Sequence, residues 1–166
     1  AIIGGGPAAL MLAAQLDETK FDVTIYERNS AVGRKFLVAG DGGFNLTHSE
    51  ELEKFIQRYT PAEFFKPIIS SFTNTDLQVW LKSIGIETFV GSSKRIFPIE
   101  GIKPIDVLNA ILNELKRKNV VIKTNHTWKG WEKEKILFEG CPPLEGAGGG
   151  SRIIVFALGG SSWKVT

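Results

Sequence analysis

AIIGGGPAAL, residues 1–10, sets a short apolar run against three glycines and a proline. Residues 1–4 read as the tail of an apolar strand. Residues 7–16 predict a helix: Pro7 suits a first helical turn, where its missing N–H removes no bond, and the alanines and leucines behind it are strong helix formers. Residues 22–27, DVTIYE, alternate and carry β-branched and aromatic side chains, which predicts a strand. Strand, helix and strand within roughly 30 residues make a βαβ unit.

Within that unit the spacing is Gly4-x-Gly6-x-x-Ala9. Gly4 permits a tight strand-to-helix turn, Gly6 leaves room for a pyrophosphate to approach the backbone, and Ala9 lets the helix pack closely on the strand. The start of the helix, from Pro7 and Ala8 onward, offers unpaired N–H groups and the positive end of the helix dipole. Glu27 ends the second strand at the distance where an acid hydrogen-bonds ribose hydroxyls. A carboxylate there suits a free 2′-hydroxyl and repels a 2′-phosphate, which favours NAD or FAD over NADP. Arg28 is open between stacking on adenine and facing solvent. The bland alternative, a tight turn that binds nothing, does not account for this much context.

A second glycine-rich run follows at residues 33–49, GRKFLVAGDGGFNLTHS. Glycine weakens helix and strand alike, so an open loop is expected. A simple nicotinamide dehydrogenase continues after its second strand with another helix of the same wound sheet. This chain instead places Gly33, Arg34 and Lys35 just beyond Glu27, where two-domain flavoproteins pass the chain back across a long cofactor.

Three segments, GRKFLVAGDGGFNLTHSE (33–50), RIFPIEGIKPIDVL (95–108) and ALGGSSW (157–163), resemble the NAD(P)/FAD-dependent flavoprotein family that includes aminoacetone oxidase and a bacterial bile-acid reductase. The likeness runs from Gly4 to Trp163. It implies an α/β, FAD/NAD(P)-binding Rossmann-like three-layer fold with a parallel sheet, a helical excursion at about 50–85 and a small antiparallel β element. It also implies that the loop wraps FAD. Gly40, Gly42 and Gly43 would approach the ribityl chain and ring, Arg34 and Lys35 would balance pyrophosphate charge, and Asn45 and Thr47 would bond the polar edge of the isoalloxazine. Gly159 and Gly160 would lie beside the adenosine half. Other branches carry Arg-Cys where this chain has Gly43 and Phe44, so any role of that arginine is in doubt here. The family continues into a substrate domain and a C-terminal glycine-rich segment. Residues 1–166 are therefore expected to be an incomplete FAD-binding domain, and both ends look cut.

Elsewhere, Ser49 is placed to cap a helix over 50–58, Thr60 a helix over 61–71 with Glu63 three residues beyond the cap, and residues 73–75 a helix ending near Gly85. Phe64 with Ile68 and Leu77 with Leu81 are expected to face inward. Residues 86–90 read as a strand, 91–98 as a turn and a short strand, 103–119 as an amphipathic helix buried through Val107, Leu108, Ile111, Leu112 and Leu115, and 120–124 as a strand. Residues 126–139 read as two short strands around a turn, and 152–158 as a buried-type strand. The stretch 141–151 is flexible by composition, with 146–151 open between a natural loop and a splice.

A net charge of +2 with no run of five like charges argues against nucleic acid. The single cysteine, Cys141, excludes an internal disulfide and suits a reducing compartment; with no apolar run of membrane-span length, the expected location is cytoplasmic. No His, Cys, Asp or Glu spacing resembles a metal site. His48 reads as a helix-capping polar group before it reads as an acid or base, His126 carries no assignment, and Trp128 and Trp131 read as β-surface packing. Lys94 and Arg95 are open between supporting the cofactor loop and a charged solvent turn. The expected function is the FAD-binding portion of a flavin-dependent oxidoreductase acting on a small molecule, with NAD(P)H as a possible donor. No catalytic residue is named, and the oligomeric state is open. The rivals are an NAD-binding dehydrogenase domain and a non-catalytic nucleotide-binding module.

Overall fold

The computed structural model describes residues 1–38, 44–133, 135–140 and 153–159. The chain opens with β1 (Ile2–Ile3), α1 (Pro7–Gln15), β2 (Thr24–Tyr26) and α2 (Arg34–Val38). It continues through β3 (Thr47–His48), α3 (Leu52–Ile56), α4 (Ala62–Ser71), α5 (Asn74–Ser83), β4 (Thr88–Val90) and β5 (Arg95–Pro98). The last elements are α6 (Pro104–Arg117), β6 (Val121–Lys123), β7 (Trp128–Glu132), β8 (Lys135–Phe138) and β9 (Val155–Phe156). These divide into two compact units, residues 1–38 with 111–166, and residues 39–110.

The first unit carries a sheet in the order β6-β2-β1-β9, and every pairing in it is parallel. The βαβ unit expected from residues 1–27 is present, with Ile2 opposite Ile25 and Ile3 opposite Tyr26. α1 buries Ala9, Leu10, Ala13 and Ala14, three of them small enough to bring the helix close to its support. Its carboxyl end is held by Lys118, whose Nζ donates to the Ala14 and Leu16 carbonyls at 2.7 and 2.8 Å. A cation at that end also meets the negative pole of the helix dipole. The antiparallel β7–β8 hairpin supplies Ile136 and Phe138 to a core with Ile3 and Tyr26, and the Phe138 and Tyr26 rings stack at 4.5 Å.

The buried strand expected over 152–158 is not what forms. β9 covers only Val155–Phe156, and Ile153, Phe156 and Leu158 are exposed. Among the described residues β9 pairs with β1 alone, so it is an edge strand. The glycine-rich stretch 141–151 lies outside the described residues.

The second unit has an antiparallel sheet in the order β3-β5-β4, with the expected helical excursion, α3, α4 and α5, between β3 and β4 along the chain. α5 begins as predicted, with a reciprocal cap: the Thr73 hydroxyl accepts the Asp76 N–H, and the Asp76 carboxylate accepts the Thr73 N–H at 2.8 Å. The other two caps differ from expectation. Ser49 Oγ donates to the Lys94 carbonyl, and α3 starts later, after Glu51. α4 is preceded by Pro61 in the capping position, with no side-chain cap bond. Phe64 and Ile68 are exposed, and the inward side of α4 runs through Ile69, with Phe65 half-buried. Moving by one residue turns a helix face by about 100°, and α4 is apolar at both alternatives. α6 follows the sequence pattern, with Val107, Leu108, Ile111 and Leu115 buried, while Leu112 is only partly so.

Candidate functional site

β1 is the point at which the parallel sheet reverses: β2 lies on one side of it and β9 on the other. In such sheets ligands bind beyond the carboxyl ends of the strands at the reversal. A cleft of about 340 Å³ opens there. Three consecutive glycines line it. Gly4 has φ +107°, and a Cβ at that position would lie 2.4 Å from the Ala157 carbonyl oxygen. At Gly5 a Cβ would meet Val32 Cγ1 at 2.5 Å. At Gly6 a Cβ would meet nothing within 4 Å. The three adjacent glycines thus serve different ends: Gly4 and Gly5 are required by the fold, whereas the space beside Gly6 is left open at the start of α1.

Glu27 is buried, and its carboxylate is already engaged within the protein. One oxygen accepts the Gly5 N–H at 2.7 Å, and the other accepts the Asn29 N–H at 2.8 Å and the Asn29 side-chain amide. The expectation that Glu27 is given over to ribose is corrected to this extent: of roughly four lone-pair directions on a carboxylate, three are used by the protein. The second glycine segment also differs from the open loop expected of it. Gly33, at φ +71°, donates to the Gly5 carbonyl at 2.8 Å, and its own carbonyl starts the short helix α2. RKFLV contains no glycine, which is why it can close a turn of helix before the glycines behind it.

Gly4, Gly6, Pro7, Glu27, Arg28, Gly33, Arg34, Lys35 and Gly159 all line this one cleft. Arg28 and Arg34 form no ion pair among the described residues. With Glu27 committed to N–H groups, the cleft favours an anion. Ala8 and Ala9 do not line it: Ala8 is exposed and Ala9 is fully buried in the packing of α1. Gly40, Gly42, Gly43 and Gly160 lie outside the described residues. Asn45 and Thr47 belong to the second unit, where they border a different cleft.

Sequence reasoning missed Gly5, Asn29, His126, Thr127 and Trp128, which also border the first cleft or fix its carboxylate. The signal for 126–128 was present: they follow β6, a third parallel strand, and the cleft opens at strand carboxyl ends. The His126 ring packs on Tyr26 and Phe138, and Trp128 packs on Phe156. The Trp128 indole N–H is buried without a hydrogen-bond partner among the described residues.

In the cleft of the second unit, about 470 Å³, Arg58 pairs with Glu50 through both nitrogens of its fork. That bond, helped by the Arg58 charge, holds the Glu50 carboxyl below its usual range, against the opposing effect of desolvation. The helix-capping role expected of His48 is not what forms: its Nδ1 accepts the Glu50 N–H at 3.2 Å, but α3 starts only after Glu51 and carries no side-chain cap bond.

A parallel sheet reversed about β1, with a glycine turn opening onto a basic cleft at its carboxyl ends, is the architecture of a dinucleotide-binding Rossmann module. The chain belongs to the HI0933-like FAD-binding Rossmann family, whose HI0933-like protein Rossmann domain matches residues 1–166. Curated proteins are also similar. A ribosomal RNA dihydrouridine synthase of Haemophilus influenzae is 32% identical over 104 residues, 63% of this chain and 26% of that protein. A 3-dehydro-bile acid delta(4,6)-reductase of Clostridium scindens is 28% identical over 125 residues, 74% of this chain and 30% of that protein. The chain thus spans between a quarter and a third of the curated relatives it matches.

Solved structures share the fold at 13% identity. THI4 of Thermovibrio ammonificans matches with TM-score 0.52 over 86% of this chain and 51% of that one. A 3-ketosteroid-delta4-(5alpha)-dehydrogenase of Rhodococcus jostii RHA1 matches with TM-score 0.55 over 83% and 41%. Among the described residues no helix is long and apolar enough to cross a membrane.

Proposed function

We propose that this chain is the FAD-binding portion of a flavin-dependent oxidoreductase, and that the cleft of the first unit takes the diphosphate and adenosine half of the cofactor. The observation that carries this reading is the open space beside Gly6. It sits at the first turn of α1, where unpaired N–H groups and the helix dipole favour a phosphate. Arg28, Arg34 and Lys35 supply the countercharge, and the orphan Trp128 N–H supplies a donor. Gly159 brings backbone to the same cleft, and Glu27 fixes the turn through Gly5 while keeping one acceptor position.

Family membership favours FAD over a nicotinamide dinucleotide as the resident group. So does the path of the chain, which leaves the parallel sheet after β2 and rejoins it only at β6. When bound, FAD supplies a ring that accepts or donates a hydride. The residues described here bind and orient it; none is assigned as an acid or base. We propose NAD(P)H as electron donor, a small-molecule substrate and a cytoplasmic location. The relative named as a bile-acid reductase supports reduction of a small molecule. The relative named for ribosomal RNA favours a nucleic-acid substrate, a reading that a net charge of +2 on this portion does not strengthen.

The test is equilibrium titration of the chain with FAD, NAD⁺ and NADP⁺. FAD is expected to bind at least about tenfold more tightly than either nicotinamide dinucleotide, a difference of about 1.4 kcal/mol. Preference for NAD⁺ would transfer the assignment to a dehydrogenase, and a full-length protein that binds no dinucleotide would leave a non-catalytic module.

A further inference from the structure

The second unit's cleft contains none of the described motif glycines and is built from side chains. His48 on β3 stands directly opposite Arg95 on β5 in the antiparallel ladder. Opposed residues in such a ladder project from the same face, with Cβ atoms about 5 Å apart. Both border the cleft. His48 Nδ1 lies 3.2 Å from the Glu50 backbone nitrogen and 3.5 Å from Glu50 Oε1, so Nδ1 is engaged by Glu50 and Nε2 is the ring nitrogen left to face a ligand. Arg58 is committed to Glu50. Arg95 has no acidic partner among the described residues. Beside this donor pair the cleft is walled by Phe55, Tyr59 and Phe72, with the Phe55 and Tyr59 rings edge to face at 5.7 Å.

A guanidinium and an imidazole N–H projecting from one face suit a carboxylate, because charge-assisted donors are about twice as strong as neutral ones. The aromatic wall adds nothing for a bare ion but stabilises a flat apolar body. We propose that this cleft binds an organic carboxylate on a flat apolar body. The carboxylate would be held by Arg95 and His48 Nε2–H, and the body would lie against Phe55 and Tyr59. The proposal uses no residue of the first unit's cleft and gives Asn45 and Thr47, which border this second cleft, no part in holding the carboxylate.

The experiment is an NMR titration of the ¹⁵N-labelled full chain with 2-naphthoate, 2-naphthamide and inorganic phosphate. Naphthoate is expected to bind saturably at one site, shifting amides in 45–48, 72–77 and 95. Naphthamide and phosphate are expected to bind at least about tenfold more weakly. Arg95→Gln should bring naphthoate down to the naphthamide level and leave naphthamide unchanged, with a wild-type melting temperature. His48→Gln should weaken naphthoate in the same sense. Equal affinity for naphthoate and naphthamide would overturn the proposal. So would wild-type titration by Arg95→Gln, or shifts centred on 3–7 and 126–128.

Discussion

The two clefts of this chain are made differently. In the first unit the cleft is shaped by glycine turns, Gly4, Gly5, Gly33 and Gly159 around the open position of Gly6, with charged side chains at its border. In the second unit the surface is side chains carried by β3, α3, α5 and β5, with Arg58 just beyond α3. A site shaped by such turns constrains sequence locally, because only glycine fits a left-handed turn or a 2.4 Å approach. A side-chain site is assembled by tertiary contact, and the sequence around each contributor looks ordinary. Single substitutions should therefore act on the fold or on binding in the first cleft, according to which glycine is changed. In the second unit they should act by small, separable amounts.

The largest effect is expected at Gly4. Gly4→Ala forces a Cβ against the Ala157 carbonyl at a backbone angle that L-residues avoid, and should cost about 3 kcal/mol or more. Denaturant unfolding measures it, and an unchanged midpoint would break the distinction between the glycines. Next is Glu27→Gln, which replaces the charged acceptor of the buried Gly5 N–H and should cost about 1–3 kcal/mol in the same assay.

In the second unit Thr73→Ala removes the hydroxyl half of the α5 cap and should cost about 1 kcal/mol at neutral pH. The Thr73 hydroxyl and N–H hold the Asp76 carboxyl below its ordinary value of 3.8. A carboxyl lowered by folding stabilises fully above its unfolded value and loses that contribution as pH falls through the folded one. The gap between wild type and Thr73→Ala should therefore narrow below pH 3.8. A gap constant with pH would show that the hydroxyl does not act through Asp76. The smallest effect is expected in the first unit at the exposed Lys129–Glu139 pair, where Glu139→Gln should stay within about 0.5 kcal/mol in denaturant unfolding.

Much of the first cleft was legible because its chemistry is that of a turn. The spacing of Gly4, Gly6 and Ala9, the strand ending at Glu27 and the return at Gly33 each have a local physical reason. Gly5 was not legible, since its need arises from Val32 and Glu27 approaching it in the folded state. The commitment of Glu27 to Gly5 and Asn29 was hidden for the same reason. In the second unit the Thr73 cap could be read, being local, whereas the exposure of Phe64 and Ile68 could not. Two neighbouring apolar faces of α4 compete, and tertiary packing selects the one through Ile69. The opposition of His48 and Arg95 is a register between strands 47 residues apart, which no local pattern records.

The most direct measurement is an FAD titration of Gly6→Val beside the wild-type chain, with thermal unfolding of both. Gly6 has φ −80° and open space around its missing Cβ, so valine should leave the melting temperature nearly unchanged while FAD affinity falls at least about tenfold. Wild-type FAD affinity in a folded Gly6→Val chain would contradict the assignment of this cleft to the cofactor's diphosphate.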